Sequence, residues 1–339
     1  MAGPVPMFTA VTSSSRQLLL LLRCISFAKM AQVRISAEGI RFSTEEGSAM
    51  EAFIFLEKAF FSSYTYRPPP PSSSQDDAPA TPIFEINLTS LLETLSIFTL
   101  SDPNAAKKPG EYDSFAAHRL NRHAGINAFS HQALGMSGIC RFTYEGDGSP
   151  LGIHMSESGV TTTCDLTTYG ADSTEEIPFD REAIALKTIM RSSVLLEAIS
   201  ELSSMNPTSL AILASPSSRS TSSNLSLQAS GALGSLAVDF TTDPSSDAPL
   251  LETFHCPSRV NATFKFSLIK SAQRAMGAAN KVSMRLDEEG VLSLQFLVEV
   301  EAGSAGGEGV AFVDFRVVPL VEGEAEGING LDGESTDEE

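Results

Sequence analysis

Arg16 and Arg23 lie seven residues apart, and Lys270 and Arg274 lie four apart. On a helix either spacing puts two cations on one face. Arg191, with Lys187 upstream, stands at the start of a further helical stretch. In an acidic chain, bases paired on helices build a local positive surface; isolated solvated faces are the plainer reading. Other chemistry has less support. His118, His123 and His131 are five and eight residues apart in an irregular segment, a spacing a metal can use, but the segment reads as a solvated insertion. Cys24, Cys140, Cys164 and Cys256 contain no C-x-x-C pair. Four buried, reduced thiols are therefore expected, not a zinc or thioredoxin-type redox site. Carboxylates gather in Glu145-Gly146-Asp147 and Asp287-Glu288-Glu289, where hairpin-tip acids are ordinarily exposed surface; two-metal hydrolysis needs acids converging from several elements. Phosphate-cradling glycine loops, nucleophile elbows and H-E-x-x-H are absent from the sequence. No catalytic residue, metal site or cofactor is predicted.

The elements that must position these bases come from the hydrophobic pattern. The chain has 339 residues, 23 Lys+Arg against 42 Asp+Glu, and a net charge of −19. That charge excludes a strongly basic, nucleic-acid-wrapping protein. Hydrophobic residues make up 42%, enough for a core, and no apolar run reaches the ~20 residues of a membrane helix. The leucine run Leu18–Leu22 is too short for a signal peptide and is interrupted by Arg23. Four segments, Val33–Ile40, Ile153–Val160, Leu225–Ala232 and Met284–Val291, share one pattern: apolar-x-apolar, a short polar loop closed by Gly, then a second strand. Phe84–Leu88 runs into Leu91, Leu92, Leu95 and Phe98, and Phe264–Leu268 into Ile269, Ala272, Ala275 and Met276. Each predicts a strand feeding an amphipathic helix, with Asn87 and Ser267 as N-caps. Ser13–Ser15 before Leu18–Phe27 and Ser192–Ser193 before Val194–Leu202 predict two more helices. The result is a tandem α+β repeat rich in antiparallel sheet.

Breaks in this pattern divide the chain. The Pro/Ser-rich 67–82 and the irregular 101–135 read as insertions, and the acidic 170–178 as a linker. The tail 321–339 carries eight acids and no Lys or Arg, and is expected to be solvated. The predicted organisation is a first domain over 1–169 containing both insertions, the linker 170–178, a second domain over 179–320, and the tail.

The tandem repeat, the acidic body and FEINLTSLLETLSIF (Phe84–Phe98) are similar to the sliding-clamp superfamily. The likeness is closest to the Rad-one subunit family of the 9-1-1 DNA-damage checkpoint clamp. RFTYE (Arg141–Glu145), GVTTTCDL (Gly159–Leu166), ETFHC (Glu252–Cys256) and KVSMRLDEEGVLSLQF (Lys281–Phe296) carry the same likeness. The resemblance runs from about Phe8 to Leu320, interrupted by the two insertions. It implies DNA-clamp domains with antiparallel sheets outside and helices lining a ring. It also implies a heterotrimer with two paralogous subunits, loading by a clamp loader, passage of double-stranded DNA without sequence preference, and a nuclear platform role in checkpoint signalling and repair. A ring needs only weak phosphate attraction, so Arg16, Arg23, Arg191, Lys270 and Arg274 are expected to face the hole. Lys107, Lys108, Arg119 and Arg122 of the second insertion are further candidates. The resemblance places a client groove at Thr168–Pro178, Ser43–Met50 and Val318–Leu320, with Ser43, Met50, Ile177, Val318, Pro319 and Leu320 as its residues. Two other function classes compete: a metal-dependent 3′–5′ DNA exonuclease and a generic interaction scaffold.

Overall fold

Alternation becomes strand wherever one face finds a core. In β1 (Phe8–Thr12), Phe8, Ala10 and Thr12 are buried and the residues between them are not. The chain then turns directly into α1 (Ser15–Arg23), whose Leu18, Leu19, Leu21 and Leu22 are all buried. The structure, a computed structural model, describes residues 5–13, 15–68, 81–97, 139–157, 160–171, 176–216, 223–241, 250–301 and 308–321. Most of segment 67–82, all of 101–135 and the tail beyond 321 lie outside these residues, together with His118, His123, His131, Lys107, Lys108, Arg119 and Arg122.

The first half continues through β2 (Met30–Ile35), β3 (Gly39–Glu46), β4 (Met50–Glu57), β5 (Ser63–Tyr66), β6 (Ile83–Asn87), α2 (Leu88–Ser96), β7 (Ile139–Tyr144), β8 (Leu151–Glu157) and β9 (Val160–Leu166). A short β10 (Thr168–Gly170) leads toward the linker. The second half runs β11 (Ile184–Arg191), α3 (Ser192–Leu202), β12 (Ser209–Ala214), β13 (Ser223–Gly231), β14 (Gly234–Thr241), β15 (Leu251–His255), β16 (Val260–Lys265), α4 (Phe266–Ser271), α5 (Gln273–Ala278), β17 (Lys281–Asp287), β18 (Leu292–Glu301) and β19 (Glu308–Val317).

The pairings show the repeat. β1 lies between β5 and β7, as β11 lies between β15 and β17; β2 lies between β3 and β6, as β12 lies between β13 and β16. Among the described residues three antiparallel sheets result, of five, ten and four strands. The ten-stranded sheet takes β10-β6-β2-β3-β4 from the first half and β19-β18-β17-β11-β15 from the second, joined where β4 pairs with β19, Glu51 opposite Arg316 and Phe53 opposite Asp314. The helices bridge these sheets. α2 touches β2, β6 and β9; α3 touches β11 and β17 as well as β13 and β14. α1 packs on α2, α3 packs on α5, and α1 meets α5 across the midline.

All four predicted helices form; α2, α3 and α4 each begin at the residue after a strand, and two residues separate α1 from β1. Asn87 caps α2 as expected, its Oδ1 accepting from the Ser90 N–H at 3.0 Å. Ser267 does not cap. The helix begins one residue earlier, after Lys265, and the Ser267 carbonyl instead accepts from the Ser271 hydroxyl. That helix also breaks at Ala272 (φ −78°, ψ −3°) into α4 and α5. The hairpin expected to close at Gly231 turns later. Leu225, Leu227 and Ala229 keep alternating inward, the strand runs on to pair Gly231 with Gly234, and Ala232-Leu233 make the turn. Gly39 and Gly290 serve different ends. A Cβ at Gly39 would come within 2.3 Å of the Leu56 carbonyl oxygen, whereas Gly290 takes a φ of +83°. Cys24, Cys140 and Cys256 are buried free thiols, but Cys164 is only half-buried because β9 is a sheet edge. Burial pushes the Cys140 thiol up to about 12.

Candidate functional site

Two clusters of charge sit on opposite sides of the midline where the halves meet. On the helix side, α1 buries every residue except Arg16, Leu20 and Arg23, which form one stripe at i, i+4 and i+7. Arg23 ends α1 and Arg274 lies in the first turn of α5, so the α1–α5 crossing brings together bases from the two halves. Ser26 ties them. Its hydroxyl donates to the Arg23 carbonyl at 2.9 Å and accepts from Arg274 Nη1. Burial, and then the charge of Arg274, lower the Arg23 pKa. Among the described residues neither Arg23 nor Arg274 has a carboxylate in ion-pair reach.

The other predicted bases are dispersed. Arg191 is the exposed last residue of β11, immediately before α3, and Lys270 is exposed in the last turn of α4. The break at Ala272 puts Lys270 and Arg274 on different short helices, so their spacing of four no longer defines one continuous face. α2 and α3 offer Glu93, Glu197 and Glu201 on their exposed sides. Positive charge is thus concentrated at the α1–α5 crossing.

On the sheet side, the linker end is tied to the β4–β19 seam. Ile177 is buried; its N–H donates to Glu51 Oε2 at 3.2 Å, and its carbonyl accepts from Arg316 Nη1 at 2.7 Å. Glu51 and Arg316 are the facing residues of that strand pair. Arg41 bridges from β3, donating to Glu51 Oε1 at 2.8 Å and to Glu176, and its guanidinium lies 4.0 Å from the centre of the Phe53 ring. Arg316 lies 3.7 Å from Glu176 Oε2, and Arg34 lies 4.0 Å from Glu176 Oε1. Burial raises the Glu51 pKa against the opposing charge of Arg41. Burial alone raises that of Glu176 too, but hydrogen bonding and charge from Arg41, with help from Arg316 and Arg34, bring it below the usual value. Farther along, the Asp180 N–H donates to Asp287 Oδ2 at 3.2 Å, and Arg285 lies over the Phe179 ring.

A groove of about 360 Å³ opens beside this seam. Ser43, Met50 and Ile177 line it together. Val318, Pro319 and Leu320 do not. The Val318 N–H donates to the Ala49 carbonyl, one residue from Met50, but the chain then veers away, Pro319 lying beside Gly290 and the Leu320 N–H bonding to the Thr263 carbonyl. Sequence reasoning did not find Ser26, Arg34, Arg41, Glu51 or Arg316. Arg41 and Glu51 were within reach of it, since both lie on one hairpin; the facing of Glu51 and Arg316 depends on a pairing between strands more than 200 residues apart in the chain.

Among the described residues no group of three or more His, Cys, Asp or Glu side chains is arranged to hold a metal. Residues 7–298 match the family model described as repair protein Rad1/Rec1/Rad17. The chain is 30% identical over 316 residues to the DNA damage checkpoint control protein rad1 of Schizosaccharomyces pombe, covering 93% of this chain and 87% of that one. It is 28% identical over 304 residues to the mouse (Mus musculus) cell cycle checkpoint protein RAD1, covering 90% and 89%. In fold it is similar to the proliferating cellular nuclear antigen of Entamoeba histolytica, with a TM-score of 0.64 at 14% identity, covering 94% of this chain and all of that one.

Proposed function

We propose that this chain, which belongs to the Rad1/Rec1/Rad17 repair-protein family, is a non-catalytic subunit of a heterotrimeric checkpoint clamp that closes around DNA. The observation that carries this reading is a pair of unpaired strand edges. In the repeat, β9 corresponds to β19 and β14 to β4, and within the chain β19 and β4 pair with each other. β9 pairs only with β8 and β14 only with β13 among the described residues, so each leaves its outer edge open. Each is largely exposed, Val160 at 58%. Open edges of this kind recruit further strands. A related subunit at each edge repeats the internal β4–β19 join, and three such chains close a ring.

In this ring the helix layer faces the hole. Arg16, Arg23, Arg191, Lys270 and Arg274 give salt-sensitive, sequence-independent contact with phosphates. The acidic remainder discourages adhesion of DNA elsewhere. The partners are two paralogous subunits and a clamp loader, the compartment is the nucleus, and the groove beside Ile177 receives client segments. The clamp domains span 1–169 and 179–320 around the linker 170–178, ahead of the tail 321–339.

Native mass spectrometry of the chain co-expressed with its two clamp paralogues tests this reading. A 1:1:1 assembly is expected; a monomer or homotrimer overturns it. A nuclease assay on the same assembly separates the enzymatic alternative, which requires 3′–5′ degradation that one Asp or Glu substitution abolishes.

A further inference from the structure

The acidic segment 321–339 is tethered at the strand that feeds the helix-side bases. After β19 the Val318 N–H donates to the Ala49 carbonyl at 2.9 Å, and the Leu320 N–H donates to the Thr263 carbonyl at 2.7 Å. Thr263 belongs to β16, which runs without a gap into α4 and then, across the break at Ala272, into α5. Val321 is 72% exposed, so the chain leaves this anchor into solvent. Path length bounds the distances. The Lys270 backbone lies within about 16 Å of Thr263, counting about 3.3 Å per strand residue and about 1.5 Å per helical one. Arg274 lies within about 30 Å even with the chain fully extended on either side of Ala272. A stretch with the length of 321–339 reaches up to about 65 Å, so its acids extend past both bases.

Charge decides where along that reach the segment settles. Lys270 is exposed, and among the described residues none of Lys270, Arg23 and Arg274 has a carboxylate in ion-pair reach. Arg23 and Arg274 also stand together at Ser26, like charge beside like charge. The neighbouring helices turn an acidic segment away, because α2 and α3 expose Glu93, Glu197 and Glu201. Attraction on this side is thereby concentrated on α4 and the α1–α5 crossing. A carboxylate offers a guanidinium or ammonium the same kind of oxygen acceptor as a phosphate does. Tethering makes the encounter intramolecular, at an effective concentration in the millimolar range.

We propose that the acids of 321–339 occupy Lys270, Arg274 and Arg23 in the chain without DNA, and that a duplex displaces them. This rests on the reading of the helix side as the DNA-facing side of a clamp. The segment stands in for phosphate there. It neutralises bases that otherwise repel one another, and it sets a threshold that a stray anion does not pass. A duplex carries one charge per about 1.7 Å of its axis, far denser than eight acids spread over 321–339, and it takes the bases over when it is held in the hole. The consequence is a helix side with low affinity for DNA that merely collides with it.

Carbodiimide cross-linking of the full chain, followed by peptide mass spectrometry, reads the contact, because it joins a carboxylate only to an amine it touches. At low salt, amides between Lys270 and the acids of 321–339 are expected to dominate, and to fall about fivefold or more when a short duplex is added. Duplex affinity, measured by fluorescence anisotropy, reads the consequence. The full chain with Gln or Asn in place of all eight acids is expected to bind about five- to tenfold tighter at low salt, a gain that shrinks as salt screens it. In a chain that carries Lys270→Gln and Arg274→Gln, the same neutralisation is expected to gain less than about twofold, which separates contact from the general field of eight charges. Cross-links spread evenly over the exposed lysines, Lys270 links that persist in excess duplex, equal affinity with and without the acids, or a gain undiminished in the double variant overturns the proposal. Ring assembly is weighed on the same preparation, so a failed clamp reading shows as a missing 1:1:1 complex whatever the acidic segment does.

Discussion

The two faces of the midline solve opposite electrostatic problems. On the sheet side three arginines and two glutamates interlock around Phe53, and every charge has a counter-charge within 4.0 Å. On the helix side two arginines from different halves share Ser26, and among the described residues no carboxylate is in ion-pair reach of either. The first cluster has a buried centre, with side-chain exposures of 10% for Glu51, 15% for Arg316 and 17% for Arg41, and an exposed rim of Glu176 and Arg34 at 41% and 42%. The second costs a little stability through repulsion between Arg23 and Arg274, which a nearby anion would relieve. Compensated charge at the seam holds two halves and a linker together; the charge at the half-buried crossing, with no counter-charge among the described residues, is what the proposed contact with phosphates would use. Both clusters join residues more than 200 apart in the chain, so the difference lies in where the carboxylates fall.

The comparison breaks most sharply at Glu51. Glu51→Ala strands Arg41 and Arg316 and removes the acceptor of the Ile177 N–H. Removing one member of a buried pair costs about 3–5 kcal/mol, and the partial access of water to Arg41 and Arg316 puts this case at the lower end. Urea melts should show that loss, and proteolysis near Ile177 should quicken. Arg274→Gln, across the midline, should change stability by no more than about 0.5 kcal/mol. An equal loss from both variants would mean that the helix-side arginines are structural too.

Acid titration sharpens the same contrast. A raised pKa means that native Glu51 keeps its proton to higher pH than the unfolded chain does, so it costs stability as pH rises between its unfolded and folded values. The lowered pKa of Glu176 acts in the other direction: its contribution is present above the unfolded value and is lost as pH falls through the folded one. In the parent chain the two slopes oppose. Glu51→Gln removes the first and deepens the second by deleting a like charge, so from about pH 3 to pH 6 the urea midpoint of the variant should climb more steeply than that of the parent. A shallower climb would contradict the assignment. Arg23, although lowered, stays charged throughout, and Arg274→Gln should leave the acid profile unchanged.

The helix side was more legible in the sequence than the sheet side, for a physical reason. Arg16 and Arg23 lie on one helix, where a period of 3.6 fixes which residues share a face, and the leucines around them mark the buried side. Period-two alternation likewise located the β2–β3, β8–β9 and β17–β18 hairpins. It missed the turn after β13 because a Gly within a paired strand and a Gly closing a loop look alike in sequence. Nothing local signals that Ala272 interrupts a helix, since Ala favours helix; the break separated Lys270 from Arg274. The Glu51–Arg316 facing was hidden because β4 and β19 belong to different repeats, and register between distant strands is set by the whole core. The linker read as acidic, with Asp172, Glu175 and Glu176 among its residues; Ile177 is its one large aliphatic side chain and is buried.

A smaller effect is expected on DNA, where number and placement of charge separate. If the helix side meets phosphates, Arg274→Gln removes one contact, and the slope of log affinity against log salt for a short duplex should fall in magnitude by about 0.9. Glu51→Gln should leave that slope alone.

Ser26→Ala is the finest probe. It leaves both guanidinium groups in place and deletes only the hydroxyl that holds Arg274 against the end of α1. One hydrogen bond of this kind contributes about 0.5–1.5 kcal/mol, and the removed repulsion offsets part of it as Arg274 swings away from Arg23. Stability should therefore move by less than about 1 kcal/mol. Affinity for the duplex should drop about two- to threefold at low salt, because an unheld arginine gives up side-chain entropy on meeting a phosphate. The salt slope should match the parent, because the count of released counterions is set by charge and not by its tether. A slope that falls as it does in Arg274→Gln would mean that Arg274 reaches phosphate only while Ser26 holds it, making the serine part of the site instead of its scaffold.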